Sequence, residues 1–134
     1  MNTRSVAILS LFAGALLGGA AIQGLHAQSK APVYVVAEMN PRWPEGFLFF
    51  AQNYGSKIRE LIKSHGGRVV ALGGGPQGYV TAIEGEPPEH AAVQVWDSMD
   101  QLQAYRNDPQ FKELRTIGEK YVRFYSYAID GLSE

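Results

Sequence analysis

The sequence contains no cysteine among its 134 residues. This absence excludes disulfide bonds, thiol nucleophiles and zinc sites built on cysteine. Excess charge of one sign is also lacking, because 12 basic and 13 acidic residues leave a formal net charge of −1. Nucleic-acid binding usually requires a clustered basic face, so we expect no nucleic-acid partner. A small domain without disulfides must be held by its hydrophobic core or by self-association.

Long apolar runs are scarce, and the clearest one lies at the N terminus. Residues 5–22 are rich in Ala, Leu and Gly, Arg4 precedes them, and residues 23–27 end on the small residue Ala27. This pattern is typical of a secretory signal peptide, so we expect residues 1–27 to be cleaved after Ala27. The mature chain would then be periplasmic or secreted, with no stable membrane span. The alternative is an uncleaved signal that anchors the chain, since the run is close to the shortest spanning length.

After a short polar linker, 28–32, the pattern predicts one domain over residues 33–130. β-branched runs indicate strands and an apolar repeat at helical spacing indicates helices. The strands are expected at 33–39, 68–72 with an extension at 79–83, 91–96 and 121–129, and the helices at 47–64 and 98–117 with a restart at Asp108-Pro109. This order predicts an α+β protomer of ferredoxin-like β-α-β-β-α-β topology, an antiparallel sheet with helices on one face.

The other face of the sheet should also be apolar. In the last strand Tyr121, Arg123, Tyr125 and Tyr127 alternate with Val122, Phe124, Ser126 and Ala128. An exposed aromatic sheet face requires a cover, and a second copy of the chain is the simplest one. The sequence therefore predicts a homodimer.

A glycine-rich stretch, GGGPQG at 73–78, fits the G-x-G-x-x-G pattern of dinucleotide-binding loops. That loop needs a helix to open on its last glycine, whereas here a β-branched run follows and Pro76 interrupts the motif. We therefore interpret the glycines as a bend or bulge in a long strand. We expect no cofactor.

Several short motifs occur in an order that resembles domain-of-unknown-function family 1330. They are YVVAE, HGGRVVALGGG, IEGEPP, VQVWDSM, DPQF and LR, spread over about residues 33–130. The resemblance implies membership of the dimeric α+β barrel superfamily, in which the sheets of two ferredoxin-like protomers form a barrel. It implies no activity, because the family is uncharacterised. The superfamily includes cofactor-independent monooxygenases, which is an analogy of fold alone.

The resemblance also suggests substrate-binding residues. The recurring polar residues of the family correspond to Arg68, Glu84 and Arg115, and Tyr105 matches the first member of an aromatic pair whose second member is here Arg106. Glu84 could face Arg68 or Arg115 at a cavity mouth and bind a polar substrate or act as a base. A structural ion pair at the sheet rim is the alternative.

Two histidines are the other candidates for chemistry. His65 could transfer protons near neutral pH, or it could simply interact with the carbonyls at the C terminus of its helix. His90 lies near Glu84, Glu86 and Glu89, but no recognised ligand spacing is present, so we expect no metal.

Aromatic residues of the strands complete the list of candidates. Tyr34, Trp96, Tyr125 and Tyr127 could line a ligand pocket or belong to the core and the dimer interface. Two functions remain open: a small-molecule enzyme or binding protein with a pocket between sheet and helices, and a non-catalytic periplasmic binding or accessory module.

Overall fold

A computed structural model of the protein describes residues 31–75 and 78–133. In chain order its elements are β1 (Val33–Pro41), α1 (Gly46–Phe50), a π-helical turn (Ala51–Gly55), α2 (Ser56–Ser64), β2 (Arg68–Gly73), β3 (His90–Trp96), α3 (Met99–Asn107), α4 (Pro109–Gly118) and β4 (Val122–Asp130). The strands form one antiparallel sheet in the order β2-β3-β1-β4. This is the ferredoxin-like α+β topology that the sequence predicts.

The first helical segment, which runs from α1 through the π-helical turn to α2, ends at a pair of glycines. His65 is the C-cap of α2, and Gly66 follows with a φ of 87°, a left-handed conformation that suits glycine. The Gly67 N–H donates to the Ile62 carbonyl at 2.9 Å and the Gly66 N–H to the Lys63 carbonyl at 3.0 Å. These two bonds form a Schellman motif, which satisfies carbonyls that the helix leaves free.

The helices α3 and α4 begin at the predicted caps. The Ser98 hydroxyl accepts a hydrogen bond from the Gln101 N–H, and Asp108 accepts one from the Gln110 N–H with Pro109 in the first turn. Each cap satisfies a backbone donor that the helix itself cannot satisfy. The chain therefore breaks into two helices at Asp108, as the sequence indicates.

One face of the sheet packs on the helices and forms the core. Side chains at alternate positions of β1 point into it, and the register places them beside the matching positions of β3 and β4. Trp96 and Val122 are both 0% exposed at its centre. The core cluster consists of Val33, Val35, Met39, Phe50, Tyr54, Ile58, Leu61, Ile62, Ala92, Trp96, Leu102, Tyr105, Phe111 and Val122.

The opposite face of the sheet, which we call the open face, has no cover within the described residues. The pairing register puts Tyr34, Tyr127 and Ile129 on it, together with Tyr125 and Arg68. Tyr125 is 60% exposed and Tyr127 is 51% exposed. The predicted alternation is therefore confirmed from Val122 onward, with Tyr125 and Tyr127 on the open face. Tyr121, predicted on the same face, precedes β4 and packs against the core cluster.

The extension predicted at 79–83 does not form a strand. β2 ends at Gly73, and Gly74 and Gly75 then adopt φ values of 102° and 63°. These positive values end the extended conformation of β2. The Gly74 N–H donates to the Gly78 carbonyl at 3.0 Å, but residues 79–83 form no strand ladder. Tyr79 and Ile83 are left 95% and 94% exposed. The glycines thus end the strand, and the prediction that they bend a longer strand is wrong.

The predicted signal segment, 1–27, and most of the linker lie outside the described residues. Among the helices that are described, none combines the length and apolar character needed to cross a bilayer.

Candidate functional site

A cavity of about 440 Å³ lies between the helices and the inner face of the sheet. It reaches all four strands, from Leu72 on β2 past Ala92 and Ala37 to Phe124 on β4. Its volume falls within the range of roughly 300–1,000 Å³ that is typical of small-molecule sites. Its walls are mainly apolar, because they are the core-facing side chains of the sheet and of the first helical segment.

The mouth of the cavity lies between the first helical segment and the edge strand β2. Leu48, Ala51 and Arg59 line the cavity and are exposed, and they face Leu72 and Gly74 on the strand side. Ala51 begins the π-helical turn, and Gly55 at its end also lines the cavity. Such turns insert an extra residue into a helix and are frequent at functional sites.

Arg115 forms the inner end of the cavity. Its guanidinium carbon lies 3.7 Å from the ring centroid of Phe124 and 5.1 Å from that of Phe111. Both distances are within the range of cation–π attraction, which fixes the long side chain in place. The Nε atom of Arg115 is buried and has no hydrogen-bond partner within the described residues. A buried donor without a partner is costly. Arg115 as a whole is only partly buried and lines the cavity, so its guanidinium is the cationic group at this end.

Two tyrosines share this inner end with Arg115. Tyr54 and Tyr105 both line the cavity, and they are 4% and 3% exposed. Burial raises the pKa of both phenols above the usual value near 10, although the Arg115 charge acts in the opposite direction. Both hydroxyls therefore stay protonated at neutral pH and can donate hydrogen bonds.

The charge lining the cavity is of one sign. Arg59 at the mouth and Arg115 at the inner end are its ionised side chains, and no carboxylate lines the described cavity. In a site of low polarity such charges act strongly on a bound group. The arrangement therefore favours an anionic group at the inner end.

Of the predicted substrate-binding residues, Arg115 and Tyr105 line the cavity. Trp96 lies directly behind Tyr105, with ring centroids 4.9 Å apart, and belongs to the fully buried core. Arg68 and Tyr34 lie on the open face, on the far side of the sheet from the cavity. These two residues therefore do not meet the others at one site.

Glu84 does not reach the cavity either. It is exposed in the loop between β2 and β3, at a bend formed around it. Among the described residues it forms no ion pair with Arg68 or Arg115. The expected cluster of one carboxylate and two arginines is thus not brought together. The physical reason is the early end of β2, which leaves Glu84 on a surface loop.

His65 lies at the protein surface beside a carboxylate. Its Nε2 atom is 2.8 Å from Oδ2 of Asp108, which also caps α4. The hydrogen bond from His65 lowers the pKa of the Asp108 carboxyl. The contact joins the end of α2 to the start of α4, and neither residue lines the cavity. The geometry is that of a structural pair.

His90 is a buried polar residue at the start of β3, and its burial was not predicted. Its ring stacks on Phe47 with a centroid distance of 3.4 Å and an angle of 3° between the planes. Its Nδ1 atom is buried without a hydrogen-bond partner in the described part of the chain. Burial lowers the pKa of His90, so the ring is neutral at pH 7. It lies just behind the wall formed by Met39, Phe47 and Gly74.

A signal for His90 exists in the sequence. It occupies the same strand face as Ala92, Gln94 and Trp96, which follow it at two-residue steps along β3, and that face points to the helices. Three acidic residues lie near His90 in the sequence, and this composition suggests a metal ligand more readily than a buried ring. Within residues 31–75 and 78–133, no group of three or more His, Asp or Glu side chains is placed to hold a metal ion.

Comparison with solved structures shows the fold. A protein of unknown function from Rhodopseudomonas palustris superimposes with a TM-score of 0.58 at 16% identity, over 78% of this chain and 85% of its own. A Mycobacterium tuberculosis protein superimposes with a TM-score of 0.57 at 18% identity, over 78% of this chain and 98% of its own. SnoaB, a cofactor-independent oxygenase from Streptomyces nogalater, superimposes with a TM-score of 0.53 at 11% identity, over 78% of this chain and 96% of its own.

These identities are too low to transfer an activity, and no curated protein matches the chain. A family model, described as a domain of unknown function, matches residues 32–132. That range covers the sheet, the helices and the cavity between them. The resemblance seen in the short sequence motifs is therefore confirmed, and the chain belongs to the DUF1330 family.

Proposed function

We propose that the protein binds a small organic molecule in the cavity between the sheet and the helices. The observation that carries this proposal is an apolar cavity of about 440 Å³ whose inner end presents the side chains of Arg115, Tyr54 and Tyr105. Protein interiors are close-packed, and a void of this size lined by core residues is unusual unless a ligand fills it. Mainly apolar walls with a few converging polar groups are typical of ligand sites.

The lining supports binding more than turnover. Within the described residues, the cavity has no histidine or carboxylate in its wall, and the raised pKa values of Tyr54 and Tyr105 make their phenols poor bases at neutral pH. SnoaB, which shares the fold, is a cofactor-independent oxygenase. That likeness shows that this fold can contain a small-molecule site, and it does not transfer the oxygenase activity of SnoaB to the present chain.

The proposal includes a homodimer formed through the open face. Large apolar side chains there are half exposed, among them Tyr125, Tyr127 and Ile129. A contiguous apolar patch on a four-stranded sheet is typical of an interaction surface, and an isologous contact would cover both copies at once. Dimerisation through this face leaves the cavity mouth, on the helical side, accessible.

We also propose that the protein acts outside the cytoplasm. The support is the N-terminal pattern of Arg4, the apolar run 5–22 and the small residue Ala27. Cleavage after Ala27 would release the domain described here, and retention of the segment would anchor it.

A thermal-shift screen of small apolar and amphipathic metabolites tests the cavity as a binding site. Ligands of the folded state raise the unfolding midpoint by mass action. The matched control is Ala51→Trp, because Ala51 is exposed at the cavity mouth and a large ring there would block entry without changing the core. We expect compounds that stabilise the wild type to lose their effect on Ala51→Trp. Hits that stabilise both proteins equally, or no hits, would contradict the proposal.

A further inference from the structure

The inner end of the cavity contains a fixed positive charge that no described side chain neutralises. Arg115 lies between the rings of Phe124 and Phe111, and its Nε atom is buried without a partner. Within residues 31–75 and 78–133, the single ion pair joins His65 to Asp108, so no described carboxylate pairs with Arg115. Arg115 as a residue is only partly buried, but its Nε–H is buried without a partner, and an unsatisfied buried donor is costly.

The groups around Arg115 donate hydrogen bonds and do not accept a proton. Tyr54 and Tyr105 are buried, and their raised pKa values keep both hydroxyls protonated. A guanidinium with two neighbouring phenols can donate to one oxyanion from several directions. Arginine matches the planar geometry of a carboxylate especially well.

The rest of the cavity determines which chemical groups the ligand can carry away from its charged end. Its wall consists of side chains such as Met39, Ile58, Ile62, Leu72 and Ala92, which offer no hydrogen bonds. Ser56 and Gln94 also line the cavity, and Arg59 lines its exposed mouth, but a second charged group placed against the apolar wall would lose its hydration without compensation. The matching molecule is therefore apolar except at one end.

From this geometry we infer that the ligand is a small monoanionic apolar acid, such as an aromatic or branched aliphatic carboxylate, with its carboxylate on Arg115. This inference rests on the proposed binding function and specifies its ligand class. It makes Arg115 the residue that determines specificity for acids over neutral molecules of the same shape.

Calorimetric titration with 2-naphthoate and its neutral isostere 2-naphthamide tests the inference. We expect wild type to bind the acid at least about tenfold more tightly than the amide, since hydrogen bonds to charged groups are the stronger ones. Arg115→Gln should lose about tenfold in affinity for 2-naphthoate and change by less than about threefold for 2-naphthamide. Retained binding of the amide shows that the variant is folded and that its cavity is intact.

Arg106→Gln is the matched control. The guanidinium of Arg106 lies 4.9 Å from the ring centroid of Phe111, so it contacts the same ring as Arg115, but it does not line the cavity. The variant makes the same change in net charge. Because the Arg106 charge also acts on Tyr54 and Tyr105, we expect a loss of at most about threefold for 2-naphthoate and unchanged binding of 2-naphthamide. A loss of 2-naphthoate binding equal to that of Arg115→Gln would assign the effect to net charge and overturn the inference.

The remaining outcomes separate the two proposals. Equal binding of acid and amide by wild type would refute the ligand class and leave the binding function standing. Binding of neither compound to wild type would refute the ligand class for molecules of this size. If the thermal-shift screen also gave no compound that Ala51→Trp excludes, the binding function would fail with it. Naphthoate binding that survives in Ala51→Trp would place it outside the cavity and overturn the inference.

Discussion

Replacing Gly67 by alanine tests how closely the end of α2 packs on the sheet. A Cβ atom built at Gly67 would lie 2.7 Å from the Trp96 ring and 2.8 Å from the Ile62 side chain. Trp96 is 0% exposed and Ile62 is 3% exposed, so neither can move into solvent. Overpacking of this kind costs about 1–3 kcal/mol. We expect the unfolding free energy to fall by that amount, which in a domain near 100 residues lowers the midpoint by roughly 4–24 °C.

Gly55→Ala is the matched control for this change. Nothing lies within 4 Å of a Cβ atom at Gly55, and the residue has helical angles, with φ −54° and ψ −53°. Alanine there should stabilise the protein by about 0.5–1 kcal/mol, because glycine is disfavoured inside a helix. Urea unfolding followed by tryptophan fluorescence measures both variants. A Gly67→Ala protein as stable as the wild type would refute the packing described here.

Three further predictions concern pH, assembly and export. Burial holds the pKa of His90 below the unfolded value near 6.5, so the free energy of unfolding should be highest above pH 6.5 and fall below it. The fall should be at most about 1.4 kcal/mol per pH unit and end at the folded pKa. In urea titrations between pH 7 and 5 His90→Leu should flatten this slope, and an unchanged slope would contradict the prediction. Tyr125→Lys with Tyr127→Lys should convert a dimer into a monomer in light scattering, whereas a wild type that is monomeric at micromolar concentration would refute the dimer. Mass spectrometry of the protein recovered from its native host should show a chain that begins at Gln28, and an intact N terminus in the membrane fraction would instead indicate an anchor.

The fold was predictable from the sequence because its local signals agree with one another. The caps at Ser98 and Asp108, the Gly66-Gly67 helix end and the alternation along β4 each define an element or its boundary. The strand expected at 79–83 failed because strand propensity is realised only beside a partner strand. The positive φ values of Gly74 and Gly75 end β2 before this run, and no residue type within the run indicates that the strand has ended.

The site was predictable only in part. Arg115 and Tyr105 were among the candidates, but Glu84 and Arg68 were grouped with them on the basis of the family resemblance. Which face a residue occupies depends on register and on where a strand ends, and a shift of one residue reverses it. Tyr54, which lies in the helix predicted at 47–64, was not among the candidates. Its role at the inner end of the cavity depends on the π-helical turn, which the sequence pattern does not reveal.

The most direct test of the central claim is methyl NMR of alanine-labelled protein titrated with 2-naphthoate. Ala37 and Ala92 line the cavity, whereas Ala71 and Ala91 lie on the open face of the same sheet. The account predicts that the methyl signals of Ala37 and Ala92 shift with added ligand while those of Ala71 and Ala91 stay in place. Shifts confined to Ala71 and Ala91 would place the ligand on the open face and contradict the cavity as the binding site.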